Sequence, residues 1–202
     1  MPRTIFRFYA LVLCVAAPGA FAGNLADVIT VGSAVGMPGT NVDIPIFIRD
    51  VSATVLGLDQ PPGSRIQSFS IKVDYAPAAA VQSVTYARAG ITAALTPSFE
   101  SSPSASGSIT GIDTFAEATN LIPFTLNGAA PGNQIGVLHF TLAGSATPGT
   151  VITLTLDSAL TQLGNESGTA HESTSTANLS LVNGTITVNP STPVRLQSFE
   201  VD

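Results

Sequence analysis

The chain is poor in cysteine, tryptophan and charge. Its 202 residues include a single cysteine, Cys14, and no tryptophan, and only 10% are charged. Cys14 lies in an apolar segment near the start, so residues 23–202 contain no thiol. A disulfide framework and a thiolate metal centre are therefore excluded there. We expect burial of apolar side chains to hold the fold together.

Basic residues are scarce. Without Arg3 and Arg7, 5 basic residues remain against 13 acidic ones, a net charge of −8. Proteins that bind nucleic acid or anionic lipid need clustered positive charge. The composition therefore argues against a nucleic-acid partner and against a membrane partner.

The first 22 residues have the layout of a secretory signal peptide. Arg3 and Arg7 precede the apolar run of residues 10–17, and Ala20-Phe21-Ala22 fits a small-x-small cleavage site. The apolar run is shorter than the roughly 20 residues that a membrane span requires. We expect residues 1–22 to be removed and the protein to be exported, to the periplasm or out of the cell.

Residues beyond the signal alternate between apolar and polar, which is typical of half-buried β-strands. The clearest runs are residues 42–48, 69–75, 138–142, 152–156 and 186–188. Helical spacing is weak, and residues 77–81 offer one helical turn at most. One domain over residues 23–188 is expected, with residues 189–202 forming a linker and tail.

Turn residues separate these runs. Pro-Gly pairs at 38–39, 131–132 and 148–149 precede alternating segments, and Asn127-Gly128 and Asn183-Gly184 are further turn signals. Residues 96–107 are rich in Ser and Pro, residues 162–178 are rich in Gly, Ser and Thr, and both segments predict loops. Pro45 interrupts an alternating run, so its strand is expected at a sheet edge or beside a bulge. These features predict an antiparallel sandwich or barrel.

The order of these elements resembles the cohesin family. The resemblance covers residues 28–188 and begins with Gly36-Met37-Pro38-Gly39 before the segment "VDIPI". It continues with "FSIKVDYAP", which ends at Pro77, the segment "NGAAPGNQIGVLHFTL", the segment "ATPGTVITL" and the closing segment "VNGTITV". Ala76 stands where the family usually has aspartate. The resemblance implies an all-β, nine-stranded sandwich with jelly-roll topology.

It also implies a binding function. Cohesins bind dockerins, which carry paired calcium-loop repeats, in the assembly of polysaccharide-degrading enzymes or of cell surfaces. The positions matching the family's partner-contacting polar pair are Ser68 and Ser70, and the same exposed face includes Lys72. We therefore expect a non-catalytic, secreted protein-binding module with a dockerin-like partner.

The sequence offers no catalytic cluster, and we expect no enzyme. His139 has the outward register of a strand, and His171 lies in a polar loop. Asp113 and Glu117 are close in sequence, but nothing marks them as the acid and base that glycoside hydrolysis needs. They are expected to be solvated.

No cofactor is expected. Asp157, Asn165 and Glu166 carry oxygens of the type calcium accepts, but no calcium-loop motif is present. We interpret them as solvated loop residues.

Two other functions remain open. A carbohydrate-binding module with a polysaccharide ligand is one, although such modules usually stack sugars on exposed aromatic rings. Tyr75 has an inward register, and Phe47 and Phe99 are the candidates for exposure. A structural envelope domain without a specific ligand is the other.

Overall fold

The computed structural model describes residues 25–190. The predicted signal peptide and most of the predicted tail lie outside the described residues. No helix within residues 25–190 combines the length and the apolar character needed to cross a membrane.

The described chain consists of strands joined by loops and three single helical turns. The strands are β1 (Asp27–Val31), β2 (Ala34–Gly36), β3 (Asn41–Arg49), β4 (Ser68–Ala76), β5 (Val81–Arg88), β6 (Phe99–Ser101), β7 (Ser104–Ala105), β8 (Ser108–Thr114), β9 (Asn133–Leu142), β10 (Val151–Leu156), β11 (Gln162–Gly164), β12 (His171–Ser173), β13 (Leu179–Val182) and β14 (Gly184–Val188). The 3₁₀ turns span Ala78–Ala80, Gly90–Thr92 and Thr174–Thr176.

These strands form two sheets. The smaller sheet has the order β13-β1-β3-β9-β5. In the larger sheet β4 is central: β8 flanks it on one side, with β6 and β7 beyond, and β10 and β11 share its other side. β14 and β2 continue beyond β10, and β12 pairs with β11.

The apolar residues of the alternating runs point into the space between the two sheets. Ile44, Ile46 and Ile48 of β3 are at most 1% exposed and face Ile71 and Val73 of β4 across one core cluster. Burying a side chain of this size contributes about 1.5–3 kcal/mol. The predicted all-β sandwich is confirmed. The described chain has fourteen strands, more than the nine expected. Several of them are short pieces whose sequence does not alternate.

Two neighbouring chain segments change sheets together. β1 pairs with β13 in parallel in the smaller sheet, and β2 pairs with β14 in parallel in the larger one. The first segment crosses at Gly32 and Ser33, and the second at Asn183 and Gly184. A Cβ on Gly184 would overlap the carbonyl oxygen of Gly32, so the backbones touch where they cross. Asn183-Gly184 is therefore a sheet crossing and not the predicted turn.

Pro45 lies in an interior strand, since β3 pairs with both β1 and β9. The expected edge strand is thus wrong, and Pro45 itself pairs in register with Val137, one residue before a bulge. The register of β3 shifts between Ile46 and Phe47, and the ladder with β1 stops at Ile46. The proline ring faces Gly32, where a Cβ would stand 2.9 Å from the ring Cδ. The Gly32 amide donates to the Pro45 carbonyl at 2.8 Å, so the proline takes part in this contact only as an acceptor.

Most of the predicted turns are present. Gly39, Gly132 and Gly149 of the Pro-Gly pairs have positive φ, as such turns require, and Ala78–Ala80 forms the single helical turn. The two predicted loops were partly wrong. Residues 96–107 contain β6 and β7, and residues 162–178 contain β11 and β12. Strands of two or three residues are too short for alternation to reveal.

Candidate functional site

The outward face of β4 carries the residues predicted to contact a partner. Burial alternates along this strand, with Phe69, Ile71 and Val73 in the core and Ser68, Ser70 and Lys72 half-buried on the other face. The structure confirms the orientation predicted by the alternation. Whether these residues bind a partner stays a prediction.

Ser68 and Ser70 already have partners within the chain. The Ser68 hydroxyl donates to the carbonyl of Asn165 at 3.1 Å, and the Ser70 hydroxyl donates to that of Leu160 at 3.0 Å. Both carbonyls flank β11, which is short and needs additional anchoring to β4. The two serines therefore fasten β11 to the central strand as well as lining the surface.

Lys72, the only lysine of the chain, is also engaged. Its Nζ lies 2.8 Å from Asp157 Oδ2 and 3.4 Å from Asp74 Oδ1. The hydrogen bond with Asp157 raises the pKa of Lys72 and lowers the pKa of Asp157. Because these carboxylates neutralise the ammonium group, the centre of the face presents hydroxyl and apolar groups without excess positive charge.

A shallow groove of about 410 Å³ crosses this face at the start of β4. Ser68 and Gly164 are paired at its floor. A Cβ on Gly164 would stand 2.6 Å from Ser68 Oγ, so glycine keeps the floor open. Ser70, Ile112, Thr114, Gln162 and His171 are among the other residues that border it.

The groove extends toward an exposed aromatic side chain. Phe99 of β6 pairs with Thr114 of β8, so the two side chains lie on the same sheet face. Phe99 is 54% exposed. Ile112 gives the groove an apolar side, with Phe99 beyond Thr114 on the same sheet face, while Gln162 and His171 make the opposite side polar.

Half of this groove is not evident from the sequence. Gln162, Gly164 and His171 belong to β11 and β12, which were predicted as loop. Their proximity to Ser68 depends on contacts between residues about a hundred positions apart, so no local pattern indicates it. The outward positions of Ile112 and Thr114 in β8 can be predicted from alternation, because the residues between them and before them point inward.

The residues considered for catalysis are not brought together. His139 is on the smaller sheet, outward as predicted, with Nδ1 2.7 Å from Asp43 Oδ1. Asp113 is fully buried and accepts a 2.6 Å hydrogen bond from the Tyr86 hydroxyl, so its interpretation as a solvated residue was wrong. Glu117 instead accepts from the Gly63 amide.

The residues considered for calcium are also separately engaged. Asp157 pairs with Lys72, the Asn165 amide donates to Gly63 O at 2.7 Å, and Glu166 accepts from the Glu117 amide at 2.8 Å. Within residues 25–190 no group of three or more histidine, aspartate or glutamate side chains is arranged to hold a metal ion.

Exposed aromatic rings are few. Tyr75 is buried, as its register predicted, and packs edge-to-face on Phe140 with ring centroids 5.5 Å apart. Tyr86 is buried and Phe47 is half-buried. Among the described aromatic side chains only Phe99 is prominently exposed, so a stacking platform for sugars is not formed.

Comparison with solved structures identifies the fold. Neither a protein-family model nor a curated protein matches the chain. The cohesin CaCohA2 from Clostridium acetobutylicum is similar over 84% of this chain and 95% of its own, with 21% identity and a TM-score of 0.56. The third ScaC cohesin of Acetivibrio cellulolyticus, solved in complex with the ScaB dockerin, is 22% identical over 81% of this chain and 99% of its own, with a TM-score of 0.56.

An archaeal cohesin is similar as well. The non-cellulosomal cohesin of the archaeon Archaeoglobus fulgidus is 14% identical over 81% of this chain and 91% of its own, with a TM-score of 0.51. At this identity the likeness concerns the fold alone. The described chain has the jelly-roll sandwich fold of the cohesins.

Proposed function

We propose that this domain is a non-catalytic protein-binding module that recognises a dockerin-type partner through the groove face of its larger sheet. The observation that carries the proposal is the groove itself, centred on the start of β4, on a fold whose solved examples include cohesins in complex with dockerins. The alternation in β4 places Ser68, Ser70 and Lys72 on that face.

The chemistry of the face defines the partner's contact surface. Hydroxyl and amide groups of Thr114 and Gln162 offer hydrogen bonds, and Ile112 and Phe99 offer apolar contact. The sole cation on β4 is neutralised. A complementary partner therefore presents polar side chains around a small apolar patch, as protein interfaces commonly do.

A pull-down with matched variants tests this face. The purified domain is immobilised and exposed to proteins exported by the native host, with calcium present or chelated. We expect it to retain a protein with paired calcium-loop repeats only when calcium is present. Thr114→Arg, at the groove, should abolish retention because it adds bulk and an unpaired charge there.

Thr85→Arg is the matched control, since Thr85 is an exposed strand residue of the smaller sheet. Ser68 and Ser70 are less suitable targets because their hydroxyls anchor β11. Equal retention by both arginine variants would rule out the groove face. Retardation of the domain by cellulose, chitin or xylan in affinity electrophoresis would instead support the carbohydrate-binding alternative.

We further propose that the domain acts outside the cytoplasm, following cleavage after Ala22. The tripartite pattern of residues 1–22 supports this. Expression of the full chain in a Gram-negative host, followed by amino-terminal sequencing of the exported product, tests it. A mature protein beginning at Gly23 is expected, and retention of Met1 in the cytoplasmic fraction would contradict it.

A further inference from the structure

Two acidic side chains are buried together between β1, β12 and the loop that follows β3. Asp27 begins β1 and Glu172 is the middle residue of β12, and both are fully buried. Asp27 Oδ1 accepts a hydrogen bond from the Val51 amide at 2.7 Å, and Glu172 Oε1 accepts one from the Leu56 amide at 2.8 Å. One oxygen of each carboxyl group is thus satisfied by the loop of residues 51–58.

The second oxygens, Asp27 Oδ2 and Glu172 Oε2, are buried and receive no hydrogen bond from the described residues. The two carboxyl groups contact each other. A carboxylate can only accept a hydrogen bond, so two carboxyl groups can bond to each other only when one of them carries a proton.

The surroundings add negative charge. Asp50 is fully buried nearby and accepts from the Leu58 amide at 3.0 Å, and Asp59 accepts from the Ala53 amide at 2.8 Å. In the described chain no lysine, arginine or histidine forms an ion pair with any of these four acids. Asp27 and Glu172 receive hydrogen bonds from backbone amides, but within residues 25–190 no cation is paired with them to balance two ionised groups.

We propose that Asp27 and Glu172 share a single proton in the folded protein, and that this proton fastens the β11–β12 hairpin to β1 and to the loop of residues 51–58. Glu172 faces the interior while His171, its neighbour, borders the groove. Loss of the proton would leave two like charges buried side by side. β12 has only three residues, too few to hold Glu172 in place against this repulsion. The hairpin at the edge of the groove is therefore released at alkaline pH.

Electrostatics support this arrangement. Burial, followed by the bond to Glu172 and its charge, raises the pKa of Asp27 to about 9, and burial also raises the pKa of Glu172. In the unfolded chain the pKa of Asp27 returns to its ordinary value of 3.8. Between these two values the folded state holds one proton more than the unfolded state. Stability from this proton is therefore complete at acid pH and declines as the pH rises to about 9.

Urea unfolding between about pH 6.5 and about pH 8.5 tests the proposal. One extra bound proton makes the unfolding constant rise about tenfold per pH unit. In Glu172→Gln the carboxamide donates to Asp27 without any added proton, so this variant should lose that tenfold dependence. Asp27→Asn should lose it for the same reason. Asp74→Asn, at an outward residue of β4 whose ion-pair partner is Lys72 and not a histidine, should keep the wild-type dependence.

Identical pH dependence in the wild type and both amide variants would overturn the proposal. Stabilisation of the wild type, but not of Glu172→Gln, by millimolar calcium at about pH 8 would also overturn it, since a cation would then replace the proton. If the variants do not fold, a measurement on the wild type alone still tests the shared proton. Carbon NMR of labelled aspartate and glutamate carboxyl groups should show a protonated group of this pair at neutral pH, and ionisation of both there would refute the shared proton. None of these readouts depends on whether the groove binds a partner.

Discussion

At the scale of single residues, Tyr86 and Asp113 form a buried polar pair inside an apolar core. Two glycines make room for the tyrosine ring: a Cβ on Gly111 would stand 2.9 Å from it, and one on Gly136 2.6 Å. Burial raises the pKa of Asp113 to about 6, while the hydrogen bond from Tyr86 lowers it. The Tyr86 hydroxyl is thus the main donor that keeps an ionised Asp113 tolerable at neutral pH.

Tyr86→Phe should therefore destabilise the domain in a pH-dependent way. Above about pH 7 the carboxylate loses its donor, and we expect a loss of about 1.5–3 kcal/mol in the free energy of unfolding. Because the raised pKa leaves Asp113 largely protonated near pH 5, the loss should be smaller there. Urea unfolding at the two pH values measures both losses.

Tyr75→Phe is the matched control. Its hydroxyl makes only a long hydrogen bond of 3.4 Å, to the carbonyl of Ala105, and no carboxylate depends on it. We expect a small loss without pH dependence. A Tyr86→Phe loss of equal size at both pH values would contradict the proposed role of the hydroxyl.

Residue orientation was predictable from the sequence, whereas residue partners were not. Alternation alone placed Ser68, Ser70 and Lys72 outward and Tyr75 inward. Their hydrogen-bond partners are distant in the chain; Ser70, for example, bonds to Leu160. The sequence pattern does not indicate which distant residues the fold brings together. Asp113 was misinterpreted because polarity usually indicates exposure, and the compensating donor, Tyr86, is 27 positions away.

At the scale of elements, the paired sheet crossing is the least tolerant part of the fold. The backbones of residues 32 and 184 are in contact, and the Thr185 amide donates to Ser33 Oγ at 3.0 Å beside them. Asn183 Oδ1 accepts from the Leu156 amide at 2.9 Å, which satisfies β10 where its pairing with β14 ends. Asn183 and Gly184 thus have separate structural tasks.

Gly184→Ala should destabilise the domain strongly. The added methyl would overlap a backbone carbonyl that cannot rotate away, and overpacking of this kind costs about 3 kcal/mol. Gly144→Ala provides the control, since no atom lies within 4 Å of its Cβ position. We expect its effect to stay within about 0.5 kcal/mol. Thermal unfolding of both variants measures the difference, and similar melting temperatures would contradict the crossing as a tight contact.

The hairpin of β11 and β12 shows where element prediction fails. Each strand has three residues, and their composition of Gln, Gly, His and Ser is typical of loops. β11 forms a strand because it can pair with the part of β4 that β10 leaves free. β12 forms one because it pairs with β11 and because its buried Glu172 fixes it to the interior. This is a tertiary effect that overrides local propensity.

At the scale of the whole molecule, element order predicted the two-sheet sandwich correctly. The alternating runs and Pro-Gly turns predicted an antiparallel sandwich or barrel, because each run must bury one face. The resemblance to the cohesin family selected the sandwich. The residues predicted to contact a partner all lie on the outward face of one strand, β4. The shape of the groove could not be predicted, since it depends on a glycine floor and a hairpin that the sequence does not reveal.

The parallel pairing of β1 with β13 and of β2 with β14 has a mechanical consequence. A force pulling residue 25 away from residue 189 acts along two parallel strands in opposite directions, so it loads their hydrogen bonds simultaneously in shear. Handles at residues 149 and 189 instead pull apart the adjacent ends of β10 and β14, where the Gly149 amide donates to Val188, and open the ladder one bond at a time.

Residues 23–202 contain no cysteine, so engineered cysteines at either pair of positions give unique attachment points for single-molecule pulling. We expect a clearly higher unfolding force for the pair 25 and 189 than for the pair 149 and 189, and equal forces would contradict shear loading. The two parallel pairs would therefore keep the domain folded when its two ends are pulled apart.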